Sequence, residues 1–271
     1  MIDNIPPKKL YKYRYCDFKS HYQKLLRDNY LFFSSPKNFN DPFDCQIYPS
    51  YENGSEKQIM GKFLQQIKSD YPQMSLPNQK RMARDNYLKN IQVIKSPDLM
   101  AKRINEVANK YYGVFSLTEK CDNLLMWAHY SDCHRGFCIE FNAERLRFIC
   151  LNYLQIKELI LVKKIKYELD YPSINPYKGN FDPFSFIEWI TTKSKDWEYE
   201  TEWRLIFTRH PDEEVSFPED IFTGIYFGVN ATSATIKNVI DLFNNKKSIP
   251  IFYRAKLKHK QFGITFSQIK I

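Results

Sequence analysis

Apolar residues recur along this chain with two spacings, and each change of spacing marks an element. The opening residues KKLYKYRY read as a strand, a helix follows at about 17–28, and NYLFFSSPKNFNDPFD gives a short apolar strand and then a turn built on Asn38, Asn40, Asp41 and Pro42. Residues 55–111 read as three helical pieces. Ser55 and Gln58 form a capping box, Ile59, Phe63 and Ile67 recur every four residues, and Ser96-Pro97 starts a helix carrying Met100, Ile104, Val107 and Tyr111. After Gly113 the order is strand (VFSLT), short helix (DNLLMWAHY, with Asp122 as its cap) and strand (RGFCIEF, with Phe137, Ile139 and Phe141 alternating). Further helices are expected at 143–160, 184–195 and 233–244. Strands are expected at 161–168, 198–209, 223–229, 249–257 and 261–269. The whole predicts one α+β domain over 1–271 with a mixed, mostly antiparallel sheet and a helical insertion at about 51–111.

Composition supports a folded chain: 271 residues, 43% hydrophobic and 16% aromatic, with 21 Phe and 19 Tyr. No run approaches the roughly 20 apolar residues of a membrane span, and MIDNIPPKKLYKY lacks an apolar signal core, so a cytoplasmic location without membrane contact is expected. The six scattered cysteines then read as reduced thiols. The formal charge of +9 fits an anionic partner such as nucleic acid or a phosphate-bearing ligand, and equally an ordinary solvated surface rich in lysine.

Several chemistries fall away for want of their motifs. With 8 glycines the chain carries neither GxGxxG nor a Walker loop, and no GxSxG elbow. Cys121, His129, Cys133, His134 and Cys138 lie close together, but none of the paired spacings of a structural zinc site occurs, so no metal is expected there. A cysteine nucleophile beside His129 or His134 lacks any local mark of activation. The remaining feature is DWEYETEWRLIF. If it is a strand, Glu200 and Glu202 point to the same face. Two readings stay open: a salt-bridged edge strand in which these acids meet Lys193, Lys195 or Arg204, or a catalytic pair that divides labour at an anomeric carbon, with Ser116 and Thr118 sharing a strand face nearby and Tyr11, Tyr13, Tyr130 and Trp197 as stacking rings.

The blocks LYKYRY, LFFSSPKNFNDPFD, FSLTEKCDNLLMWAHYSDCHRGFCIEF and YETEWRLIF resemble, in this order, those of the bacterial family labelled domain of unknown function 2971. More distantly, Lys12 or Arg14, then Ser116-Leu117-Thr118 with Tyr130, then Glu200-Thr201-Glu202 fall in the order of the three blocks of ADP-ribosyltransferases. That resemblance implies an ADP-ribosyltransferase-like sheet with NAD as substrate and no metal. It also implies the roles. Arg14 or Lys12 faces the phosphates or ribose, Ser116 shapes the pocket, Tyr130 stacks on nicotinamide, Glu202 holds the ribose and stabilises positive charge, and Glu200 prepares the acceptor. The expected function is that of a toxin-like or antiviral effector whose acceptor is RNA or an RNA-bound protein; such an effector can have an antitoxin or chaperone partner, whose presence the sequence does not show. Lys80, Arg81, Arg84 and Lys89 are the expected nucleic-acid contacts. The alternatives are a non-enzymatic nucleic-acid or partner-binding module, and a metal-dependent nuclease drawing on Asp41, Asp44 and the Glu pair.

Overall fold

The computed structural model of the protein describes residues 5–17, 21–46, 48, 55–153, 160–172, 187–209 and 211–270. The chain begins with β1 (Lys9–Arg14), α1 (His21–Leu26) and β2 (Tyr30–Phe33), followed by the helices α2 (Glu56–Asp70), α3 (Leu76–Lys95) and α4 (Pro97–Tyr111). Then come β3 (Tyr112–Thr118), α5 (Leu124–Tyr130), β4 (Phe137–Asn142), α6 (Ala143–Tyr153), β5 (Ile160–Lys164), β6 (Lys166–Glu168), α7 (Ile187–Ile190) and β7 (Thr192–Ser194). A 3-10 helix at Lys195–Glu200 leads into β8 (Glu202–Thr208) and β9 (Glu213–Ser216). The chain ends with β10 (Phe222–Phe227), α8 (Ser233–Asp241), β11 (Ile251–Leu257) and β12 (Ile264–Gln268).

Backbone contacts divide the chain into two compact units. One holds residues up to Asn40 together with Asn109–Tyr167 and Ser194–Ile271, and the other holds Asp41–Ala108 and Glu168–Lys193. The helical block expected at about 51–111 falls in the second unit as far as Ala108, and the last residues of α4 belong to the first. There α2 starts on the expected capping box of Ser55 and Gln58. Ile59 of α2 packs with Tyr87 and Ile94 of α3, the inward positions of two amphipathic helices.

The first unit is built on an eight-stranded sheet in the order β12-β11-β10-β4-β1-β3-β8-β5. All described pairings are antiparallel except β10 with β11, which α8 connects. The architecture is therefore mixed, with a mostly antiparallel open sheet. One face carries the main core. Leu10, Phe115, Phe137, Ile139, Phe141, Leu205 and Ile225 meet Leu25 and Leu26 of α1, Leu146 of α6 and Val239 of α8. On the other face Tyr13, Cys138 and Tyr226 pack with Met126 and Trp127 of α5. Two glycines let backbones touch. A Cβ on Gly136 would lie 2.1 Å from the Arg14 carbonyl, and one on Gly228 would lie 2.1 Å from the His134 carbonyl, so no other residue fits either place.

Four expectations change. Within the helix expected at 184–195, α7 covers Ile187–Ile190, Thr192–Ser194 is the strand β7 and Lys195 opens the 3-10 helix. The strand expected at 198–209 begins only at Glu202, and 195–200 is 3-10 helix capped by the Ser194 side chain. The cap of α5 is Asn123, whose Oδ1 accepts from the N–H groups of Leu125 and Met126, not Asp122. The strand expected at 161–168 breaks at Ile165, whose N–H bonds the Glu202 carbonyl. The short strand β9, which pairs with β2, carries no alternation that marks it in sequence.

Candidate functional site

The sheet is nearly two sheets. β1 makes six register pairs with β4 and β3 makes seven with β8, but β1 and β3 meet at a single pair, Tyr11 with Thr118. Farther back along the same edge of β3, Val114 exchanges both backbone hydrogen bonds with Ser34, just beyond β2. Ser116 lies between these two partners. By the period of two its backbone polar groups face the same edge as those of Val114, into the gap. The Lys12 amine fills part of that gap and donates to the Ser116 carbonyl at 2.7 Å.

Lys12 and Arg14 are alternate residues of β1, so they point the same way, and both are half-buried. Burial and the neighbouring Arg14 guanidinium hold the Lys12 amine well below the usual lysine range, against the pull of the Glu202 carboxylate. Burial likewise lowers Arg14. Among the described residues neither cation forms an ion pair with a carboxylate. Lys12 also lies 4.2 Å from the centre of the Phe115 ring.

The two glutamates are both buried, at 3% and 4% exposure, yet they do not share a strand face as expected. Glu200 is the last residue of the 3-10 helix, and Thr201 in the left-handed region (φ 44°, ψ 50°) turns the chain before Glu202 opens β8. The Tyr130 hydroxyl donates to Glu200 Oε1 at 2.7 Å, and Thr118 Oγ1 donates to the Glu200 carbonyl. Burial first, then the Glu200 charge, raises the Tyr130 phenol far above its ordinary value, so it stays a donor. Glu202 receives a bidentate pair from Arg204, at 2.7 and 3.1 Å, and Arg204 is 1% exposed. Arg204 stacks over Phe39 at 5.3 Å. Of the sequence-derived residues, Lys12 meets the Ser116 carbonyl at the split and lies within electrostatic reach of Glu202, Arg14 stands beside Lys12 on the sheet face opposite that of the Ser116 and Glu202 side chains, and Tyr130 joins Glu200.

A third buried carboxylate was not legible as a site. Glu140 is 3% exposed and accepts from Tyr226 (2.6 Å), Thr223 (2.8 Å) and Tyr11 (3.3 Å), with Lys9 at 3.0 Å. Burial works to raise its pKa, but these donors outweigh it and the carboxyl is lowered. An acidic residue amid the apolar alternation of FCIEF was the only sequence signal.

The six cysteines are free. Burial pushes Cys121 up to about 11 and Cys150 up to about 12, so these thiols are not activated nucleophiles. Among the described residues no group of three or more His, Cys, Asp or Glu side chains is placed to hold a metal ion. In the second unit Asp44, one of the residues invoked for a nuclease, is buried 3.8 Å from the buried amine of Lys193. On α3, Lys80, Arg81 and Arg84 are exposed within an arc of about 100°, and Lys89 lies about 80° further round, beyond Asp85. No helix among the described residues is long and apolar enough to cross a membrane.

The unit is thus that of a mixed α+β protein whose open sheet parts around buried charge. A family model described as Protein of unknown function (DUF2971) matches residues 126–205, less than a third of the chain. This segment, similar to that family, contains Tyr130, Glu140, Glu200, Glu202 and Arg204, and leaves out Lys12, Arg14 and α3. No curated protein and no solved structure matches the chain.

Proposed function

We propose that the sheet-bearing unit binds NAD at the split between β1 and β3 and transfers its ADP-ribosyl group to an acceptor. The observation that carries this reading is the pair Lys12 and Arg14. Two half-buried neighbouring cations, on which the Glu202 and Asp17 charges act without forming an ion pair among the described residues, are costly to bury, and a pyrophosphate would satisfy both. The carboxylates supply the rest. Glu202, oriented by Arg204, faces charge that develops on the ribose as the glycosidic bond to nicotinamide breaks, its electron pair leaving with the nicotinamide nitrogen. Glu200 takes the proton released by the attacking acceptor. One specific observation favours a second reading, an anion-binding module without catalysis: the carboxylates of Glu202 and Glu200 already have partners, Arg204 and Tyr130.

Nicotinamide release and NAD binding separate the two. NAD binding is expected in the wild type, weakened about tenfold by Lys12→Gln or Arg14→Gln. Glu202→Gln is expected to lower nicotinamide release by about a hundredfold or more. Because that change also breaks a buried ion pair, at a cost of about 3–5 kcal/mol, its fold must be checked by circular dichroism. Glu200→Gln is expected to lower transfer to the acceptor more than NAD hydrolysis. Binding without nicotinamide release leaves the second reading, and an absence of NAD binding overturns both the site and the substrate.

A further inference from the structure

β12 is an edge strand of the sheet, and α8 packs on the sheet face that carries the main core. Beside them lies a groove of about 490 Å³, lined by Ser233, Ile236, Lys237 and Ile240 of α8, Arg254 of β11 and Ile269 just after β12. Sites for small molecules run from about 300 to 1,000 Å³. The four α8 residues stand at i, i+3, i+4 and i+7, so they form one stripe along the helix. Arg254 follows Phe252 by two residues on β11 and therefore shares its face, on which Phe252 joins the main core.

The groove has a polar end and an apolar end. Arg254 pairs in register with Phe227, the last residue of β10, and its guanidinium donates to the Ala231 carbonyl at 3.3 Å, in the loop that leads into α8. It thus stands towards the end of the helix that begins with Ser233. Ile269 donates its backbone N–H to the Phe252 carbonyl at 2.8 Å, two residues back along β11. Because α8 returns the chain from the end of β10 to the start of the parallel β11, Ile240 lies towards that same end. Ser233 and Ile240 are about 10 Å apart along the helix axis, the length of a medium alkyl chain.

The lining also selects among ligands. It includes no acidic residue and no aromatic ring, so a cation meets no counter-charge and a nucleobase nothing to stack on. Among the described residues neither Lys237 nor Arg254 pairs with a carboxylate, and the bond to Ala231 leaves other guanidinium N–H groups for a ligand. The three isoleucines are half-buried, and an alkyl chain would take their remaining surface out of water.

We infer that this groove binds a small amphipathic anion, an alkyl carboxylate or alkyl phosphate, with its head on Arg254 and Lys237 and its tail on Ile236, Ile240 and Ile269. The site lies three strands from β1 in the sheet, and its test needs no NAD. Octanoate and octyl phosphate are titrated separately into the full chain at pH 8 and constant ionic strength, with acetate and 1-octanol as controls. Heat of binding is read together with the methyl signals of isoleucine labelled with carbon-13, and Ile236→Val, Ile240→Val and Ile269→Val assign the three signals of the groove. Saturable binding of at least one of the two anions, shifting these signals, is expected, and the tighter of the two tells which head group the site takes. Acetate and 1-octanol, each lacking one half of the ligand, should bind at least about tenfold more weakly. Arg254→Gln should weaken binding about tenfold and the exposed Lys237→Gln about threefold, while Arg254→Lys, which keeps the charge, should lose less than Arg254→Gln. The inference is overturned if neither anion saturates, if acetate or 1-octanol binds as tightly as the anions, or if the shifted isoleucines are others. It is equally overturned if Lys237→Gln with Arg254→Gln, shown folded by circular dichroism, binds like the wild type.

Discussion

Lys12 ties the proposed site to pH. Its amine is lowered by burial and by Arg14, so between its folded value and the ordinary lysine value of 10.5 the unfolded chain binds the extra proton. Stability therefore rises with pH across that window. A bound pyrophosphate needs the cation, so affinity for NAD moves the other way and falls as pH climbs through the depressed value. Lys12→Arg, whose guanidinium does not titrate there, is expected to flatten the affinity profile, as calorimetry across pH would show. An unchanged alkaline fall in Lys12→Arg would assign the titration to another group. Sequence alone named Lys12 and Arg14 through a resemblance, but that the Glu202 charge reaches Lys12 depends on which strands lie alongside β1, and no local pattern encodes that.

At the level of elements, local chemistry was legible where it acts over a few residues. The Ser55 capping box, the amphipathic helices of the 55–111 block and the alternation of Phe137, Ile139 and Phe141 all appear where they were expected. The segment 195–200 was misread because six residues of 3-10 helix have no periodicity to distinguish them from a strand, and because a threonine in the left-handed region is rare enough to go unsuspected. The start of α5 is a sharper case, since Asp122 and Asn123 are both good caps and only geometry chooses. Asn123→Ala is expected to destabilise the protein by about 1 kcal/mol, and by more if its bond to the Tyr199 carbonyl contributes, while Asp122→Ala stays within about 0.5 kcal/mol. Denaturant melts of the two variants check this, and equal losses would return the cap to Asp122.

For the whole molecule, the open question is what the positive charge meets. If the exposed arc of α3 contacts RNA, affinity for a single strand should fall with salt at a log–log slope of about −0.7 per phosphate contact. Replacing Lys80, Arg81, Arg84 and Lys89 with Gln should weaken binding and flatten that slope while NAD binding is kept. Since Lys89 lies on the far side of Asp85, restoring it alone should recover less than restoring Arg84. An unaltered slope in the quadruple variant would make the arc a solvated surface. Fold class could be read from the order of elements, but the strand order could not, because it depends on contacts remote in sequence. That remoteness has a consequence in time. β1 sits in the middle of the sheet, and Tyr11 lies opposite Glu140, a partner 129 positions away along the chain. The central strand is thus made early and must wait for both neighbours, so its assembly is limited by the closure of very long loops. A chain halted before β3 would carry a bare strand with two unpaired edges, the form in which strands find the wrong partner. Slow refolding that becomes lossy as protein concentration rises is the behaviour this order of events dictates.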